Sequence, residues 1–168
     1  GIIDIEQPCA CPFDLPAFHE ATGSCYALEE SSQRIHDLIQ EREEKPGGGP
    51  FRDLPIVPVV QGAKAIIWKP TIVHSPELGQ FLFHETRPGQ TRMLVLSGSF
   101  ESGVGTAALA TYAAMFSSPT VPVGLDTYRW MDPDVLTQRL PLDRGEADLH
   151  AVQQASRTVD ESRLMRLW

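Results

Sequence analysis

From Ser24 to about Lys45 the apolar positions recur with a helical period: Leu28, Ile35, Leu38 and Ile39 fall near one face, and Glu, Gln and Arg fill the others. The spacing predicts a helix with Thr22 or Ser24 as its cap and Glu29 and Glu30 at the positive end of its dipole. KPGGGP (45–50) stops it as a Gly/Pro-rich loop. Residues 1–23 read as an irregular lead-in, because Pro8, Pro12 and Pro16 interrupt any long element. After the glycines the pattern changes. LPIVPVV (54–60), AKAIIWKPTIV (63–73), GQFLFHET (79–86) and TRMLVLSGSF (91–100) are dense in Val, Ile, Leu and Phe and read as strands, with RPGQ as a hairpin between the last two.

TAALATYAAMFSS (106–118) predicts a closely packed helix with Thr106 as N-cap. PTVPVGLDTYRW (119–130) predicts a short strand ending near Asp126. MDPDVLTQRL (131–140) begins like a helix, Asp132 capping and Pro133 in its first position. Residues 143–168 read as one or two amphipathic helices. No internal repeat is evident. A helix, then strands, then helices points to α+β, and 168 residues suffice for a single domain over 1–168 with its own core.

Charge narrows the partners. The net charge is −8 and the pI near 5.0, so a phosphate backbone would be repelled and nucleic acid is not an expected partner. No apolar run approaches the roughly 18 residues of a membrane span. GIIDIEQ lacks the basic and long apolar regions of a signal peptide. The three cysteines, Cys9, Cys11 and Cys25, fall within 17 residues, unlike a secreted disulfide framework, and imply a reducing compartment such as the cytoplasm.

Cys25 sits where the helical pattern begins. Unpaired N–H groups at a helix start favour a thiolate, the nucleophilic form of cysteine. A base would come from a histidine on the sheet, oriented by a carboxylate. His84, inside QFLFHET, is the favoured base, His74 in TIVHSPE the alternative, and Asp126 the orienter. With GSCYAL (23–28), this Cys–His–Asp order resembles the papain-like superfamily of cysteine proteases and deamidases, whose nucleophile opens a helix in a GSCWAF-type segment. Short bacterial effectors and toxins share that fold. The resemblance implies an N-terminal helix carrying Cys25, packed on a mainly antiparallel sheet and followed by C-terminal helices. It also implies a thiol hydrolase cutting an amide of a protein substrate, such as a host protein, as protease or glutamine deamidase. No cofactor is required.

Two other chemistries compete. Cys9, Cys11, His19 and Cys25 put three thiols and an imidazole within 17 residues, a donor set for structural zinc in a non-catalytic binding module. FLFHETRPG resembles the HGT strand of the diphtheria-toxin class of ADP-ribosyltransferases, which would use His84 on the ribose, Tyr112 for stacking and Glu146 as the catalytic carboxylate. There Glu85 replaces the small glycine. ESGVGTAAL lacks the G-K-[ST] ending of a phosphate loop. Trp68, Trp130 and Trp168 read as packing residues.

Overall fold

The structure, a computed structural model, describes residues 4–29, 31–43, 54–73, 75–86, 92–143 and 145–164. The chain divides into two compact units, one of Gly1–Trp68 with Ile72–Val95, the other of Lys69–Thr71 with Leu96–Trp168. Helices and strands are mixed, as expected, but the four-stranded sheet is parallel, not mainly antiparallel. No helix among the described residues is long and apolar enough to cross a membrane.

Four short strands lie side by side in chain order: β1 (Asp4–Glu6), β2 (Cys25–Leu28), β3 (Ala65–Trp68) and β4 (Met93–Leu96). Glu6 pairs with Ala27, and Ala27 with Ala65, in parallel register. Parallel neighbours need a crossover between them, and helices supply it: α1 (Leu15–Thr22), α2 (Ser31–Glu43), α3 (Val57–Gly62) and α4 (Pro76–Thr86). Alternation along each strand separates two faces. Tyr26, Leu28, Ile66, Trp68 and Leu94 are buried, whereas Cys25, Ala27, Ile67, Met93 and Val95 on the other face are only half-buried. The buried face meets helices: the Tyr26 hydroxyl donates to the Val59 carbonyl of α3 at 2.8 Å, and Gly79 of α4 lets the Trp68 ring approach its backbone. Each such large apolar side chain contributes about 1.5–3 kcal/mol on burial.

Several expectations fail for local reasons. The lead-in is not irregular: it holds β1, a single 3-10 turn at Pro12–Asp14, and α1. Pro12 and Pro16 fall in first helical turns, where the missing N–H costs nothing, and Pro8 lies between β1 and the first of these turns. The helix expected from Ser24 starts only at Ser31, because CYAL alternates half-buried and buried in a strand. GQFLFHET belongs to α4, whose Leu78, Phe81 and Leu82 bury at helical spacing. Residues 57–60 open α3 instead of extending a strand. The loop at 45–50 and the RPGQ turn lie outside the described residues.

In the second unit α5 (Gly103–Phe116) packs on α6 (Leu149–Ala155) around Leu109, Leu125, Tyr128, Leu136 and Val152. The α5 helix is the one expected, but its cap is Ser102, not Thr106. Two two-residue strands, β5 (Leu142–Asp143) and β6 (Glu146–Ala147), pair antiparallel. The short strand expected within 119–126 does not form. Gly124 instead bridges Ser97, donating to Leu96 at 2.8 Å and accepting from Gly98 at 2.7 Å. The helix expected over 131–140 is also absent, since the Asp134 carboxylate takes the N–H of Val135 at 2.7 Å and competes with helical bonding.

Candidate functional site at the carboxyl ends of the strands

A parallel sheet presents every carboxyl end along one edge, and βα proteins place their reacting groups there. In the first unit that edge carries two carboxylates. Glu6 is the last residue of β1 and is exposed; Glu29 follows β2 and is half-buried. Glu6 pairs with Ala27. Glu29 stands two residues further on, just beyond the end of β2.

Gln7 fixes how the two strands end. Its N–H donates to Ala27 O at 2.9 Å, continuing the ladder. The next acceptor in that ladder would be Gln7's own carbonyl. Gln7 instead turns to φ 40, and its side-chain Oε1 accepts the Glu29 N–H at 3.3 Å and the Ser31 hydroxyl at 3.0 Å. Nε2 donates to Cys9 O at 3.0 Å.

In the second unit, Lys69 follows Trp68, the last residue of β3, and is half-buried; Pro70 and Thr71 come next. The Thr71 hydroxyl donates to Glu101, whose other carboxylate oxygen accepts the Ser99 N–H. Between Ser99 and Glu101 the chain turns at Phe100, φ 62. Gln7 and Phe100 are the non-glycine residues at positive φ among the described residues. Both sit in loops that leave carboxyl strand ends, where strained backbone often accompanies function.

The second unit also contains a cleft of about 260 Å3 lined by Leu125, Asp126, Tyr128, Arg129, Arg139 and Glu146, among others. Its charges are largely matched. Arg129 pairs with Asp126 at 3.1 Å, and Arg139 donates to the carbonyls of Met131 and Tyr128 while lying over the Tyr128 ring. Below it the buried Asp134 accepts from Tyr128 Oη at 2.6 Å and from Gly103 N at 2.9 Å. Burial pushes its carboxyl up, but the Gly103 N–H, the Tyr128 hydroxyl and the Val135 N–H outweigh that and hold it below the usual range. This is a structural carboxylate closing the start of α5.

The residues expected to form a thiol site stand elsewhere. Cys25 begins strand β2, so its neighbouring amides serve the ladders with β1 and β3 and no helix start is available to hold a thiolate. His84 is exposed in the last turn of helix α4, not on a strand. Asp126 opens a 3-10 turn in the second unit and is paired with Arg129. His74 lies outside the described residues. The zinc reading fails as well: Cys11 is exposed, His19 Nδ1 bonds with Ser24 O at 2.8 Å, and no group of three ligating side chains occurs among the described residues. For ADP-ribosyl transfer, Tyr112 of α5 stacks on Phe116, and Glu146 lies exposed in β6. Sequence reasoning assigns no role in chemistry to Glu6 and Glu29 of the first unit or to Lys69 and Glu101 of the second, which stand at or beyond the carboxyl ends of strands. The signal was present, because DIEQP, YALEES, AIIWKP and LVLSGS each close an apolar run with polar groups.

Comparison with known proteins overturns the papain-like resemblance, since no cysteine protease or deamidase is among the similar proteins. No family model matches the chain. It is 33% identical over 132 residues to the o-succinylbenzoate synthase of Pasteurella multocida, covering 79% of this chain and 34% of that protein. It is 34% identical over 138 residues to the o-succinylbenzoate synthase of Pectobacterium atrosepticum, covering 82% and 36%. Protein PHYLLO, chloroplastic, of Arabidopsis thaliana is 29% identical over 155 residues, covering 84% of this chain and 8% of that protein. The chain thus spans about a third of the length of the synthases it matches.

Proposed function

We propose that this chain carries active-site residues for a lyase reaction of the o-succinylbenzoate synthase kind, with Lys69 as the base. The likeness to the synthases replaces the thiol-hydrolase reading and points to a lyase of the enolase superfamily. Sites of that superfamily use a Lys or His base, with Mg2+ stabilising the ene-diolate that proton removal creates.

The observation that carries the assignment is the place of Lys69. It stands immediately after β3, at the carboxyl end of a parallel strand. Lys64, the other lysine among the described residues, precedes the same strand. The described histidines, His19, His36, His84 and His150, all lie on helices. Lys69, acting as the base, takes a proton from the carbon beside a carboxylate or carbonyl. The electron pair of the broken C–H bond passes into that group. Its return expels a leaving group from the next carbon, which departs with its bonding pair and takes up a proton.

Glu6 and Glu29 supply carboxylates of the sort a hard cation prefers. Among the described residues, however, no group of three ligating side chains is present. Glu6 and Glu29 do not make up a cation site by themselves.

The test is o-succinylbenzoate formation by the purified chain. Lys69→Ala is expected to lower turnover by about 100-fold to 10,000-fold, the usual worth of a general base. Lys64→Ala is expected to leave it unchanged. A wild-type chain that forms no product, or a Lys69→Ala variant as active as wild type, would overturn the proposal.

A further inference from the structure

We infer that Glu101 is a positioning residue for Lys69, an inference that rests on Lys69 being the base. The Glu101 carboxylate joins two segments of the second unit. One oxygen accepts from the hydroxyl of Thr71, and the other accepts from the N–H of Ser99. Thr71 is two residues beyond Lys69, and the residue between them is Pro70, whose ring fixes φ near −65°. A tie at Thr71 therefore reaches the Lys69 backbone through a stiff link.

The other end of the tie is anchored. The Glu101 carbonyl accepts from the Thr106 hydroxyl at 3.4 Å, and Ser102 caps α5 directly after it. The left-handed turn at Phe100 folds the Glu101 side chain back onto the amide two residues earlier. That conformation is unfavourable for a bulky aromatic and persists only where its surroundings over-determine it. Gly98 provides the space: a Cβ there would lie 2.8 Å from Glu101 Oε2 and 3.3 Å from Thr127 Oγ1. A carboxylate needed only to complement the dipole of α5 would require neither Thr71 nor this turn.

The geometry assigns Glu101 no contact with substrate. Its effect is to hold the Lys69–Thr71 segment in one place, and misplacement of a reacting group by about 1 Å costs on the order of 100-fold in rate. Glu101→Ala should therefore lower kcat for o-succinylbenzoate formation by about 100-fold with KM within threefold. Thr71→Val removes the opposite end of the same tie and should lower kcat in the same way, without touching the loop before α5. The double variant should be no slower than Glu101→Ala alone. Glu101→Gln, which retains an acceptor for Thr71, should recover most of the rate. Equal kcat for wild type, Glu101→Ala and Thr71→Val would overturn the inference while leaving Lys69 as base. Should Glu101→Ala not fold, unchanged kcat in a folded Thr71→Val would overturn it equally. A loss carried by KM alone would also overturn it. A wild-type chain without turnover would instead overturn the functional reading on which it rests.

Discussion

Tyr128 donates its hydroxyl proton to the carboxylate of Asp134 at 2.6 Å, and the same oxygen accepts the N–H of Leu140 at 3.3 Å. Asp134 is 5% exposed, and its second oxygen accepts from Gly103 and Val135. Five polar groups are thereby satisfied inside the second unit. Removing one partner of such a set strands the others. Tyr128→Phe leaves the Leu140 N–H without its acceptor and the carboxylate one bond short, at a cost of about 2 kcal/mol. Asp134→Ala strands three donors and should cost about 3 kcal/mol or more. Urea unfolding at pH 7, monitored on both variants, checks the order.

The same pair sets a pH dependence. Burial pushes the Asp134 carboxyl up, but the Gly103 N–H, the Tyr128 hydroxyl, the Val135 N–H and the charge of Arg139 together hold it below its ordinary value. Its contribution to stability is therefore complete above the unfolded value of about 3.9 and is lost as pH falls through the lower folded value. The stability gap between wild type and Asp134→Asn should be constant from pH 7 to about pH 5 and close at more acid pH. Tyr128 moves the other way, raised by burial and then by Asp134. Its contribution holds below about pH 10 and is lost as pH rises through the folded value. Urea midpoints across pH 2–7 read the first effect; a gap that widens toward acid pH would contradict it.

In the first unit, Tyr26 and Gly62 are a packed pair. Tyr26 is 1% exposed and donates to Val59 O, and a Cβ on Gly62 would run into its hydroxyl. Gly62→Ala should thus cost about 1–3 kcal/mol through overpacking. Tyr26→Phe, which removes the hydroxyl and its hydrogen bond, should cost about 1 kcal/mol. The two should not add. Without the hydroxyl, alanine at 62 meets no obstruction and gains helix propensity, so Gly62→Ala should be neutral or stabilising in the Tyr26→Phe background. Thermal unfolding of the four proteins completes this cycle.

Much of the framework was legible. TAALATYAAMFSS is helical, MLVL is a strand, AIIW is a strand, and Trp68 is buried as a packing residue. What failed was the reading of short apolar runs whose length suits either structure. CYAL merges with the helix that follows because Leu28 fits both periods, and QFLF reads as a strand by composition, although Phe81 and Leu82 are buried three and four residues after Leu78. These two errors concealed the alternation of strand and helix, and with it the parallel sheet. Once the sheet was taken as antiparallel, nothing singled out the residues just after each strand. Lys69 then read as part of a strand and Glu29 as a helix-dipole residue. Cys25 drew attention by its chemical type, yet it opens its strand at the amino end, four residues before Glu29, or about 13 Å at extended spacing.

That separation yields a prediction for the thiol. Cys25 is half-buried on the partly exposed face of the sheet, and its neighbours are bonded in the ladder. Cys25→Ala should leave o-succinylbenzoate formation within twofold of wild type and reduce stability by about 1 kcal/mol. A folded Cys25→Ala variant that loses turnover, or loss of turnover on alkylation of Cys25 alone, would contradict this.

The carboxylates at the other end of that strand pair should behave in the opposite way. Glu6 is exposed, so losing its charge removes little from the folded state, within about 0.5 kcal/mol for a surface position. Glu29 is half-buried, and its backbone, not its side chain, makes the bond to Gln7. Replacing either by glutamine keeps size and hydrogen-bonding capacity and removes only the negative charge. As carboxylates that would bind the divalent cation of the proposed reaction, Glu6 and Glu29 should each matter to turnover: Glu6→Gln and Glu29→Gln should each lower it by about 100-fold with unfolding curves nearly unchanged. Gln7→Leu separates the two contributions. It leaves both carboxylates in place but removes the acceptor that Glu29 N–H and the buried Ser31 hydroxyl share, so it should cost about 1–3 kcal/mol of stability. Turnover retained by both glutamine variants would show that the reacting groups lie away from this edge, whatever Gln7→Leu does to stability.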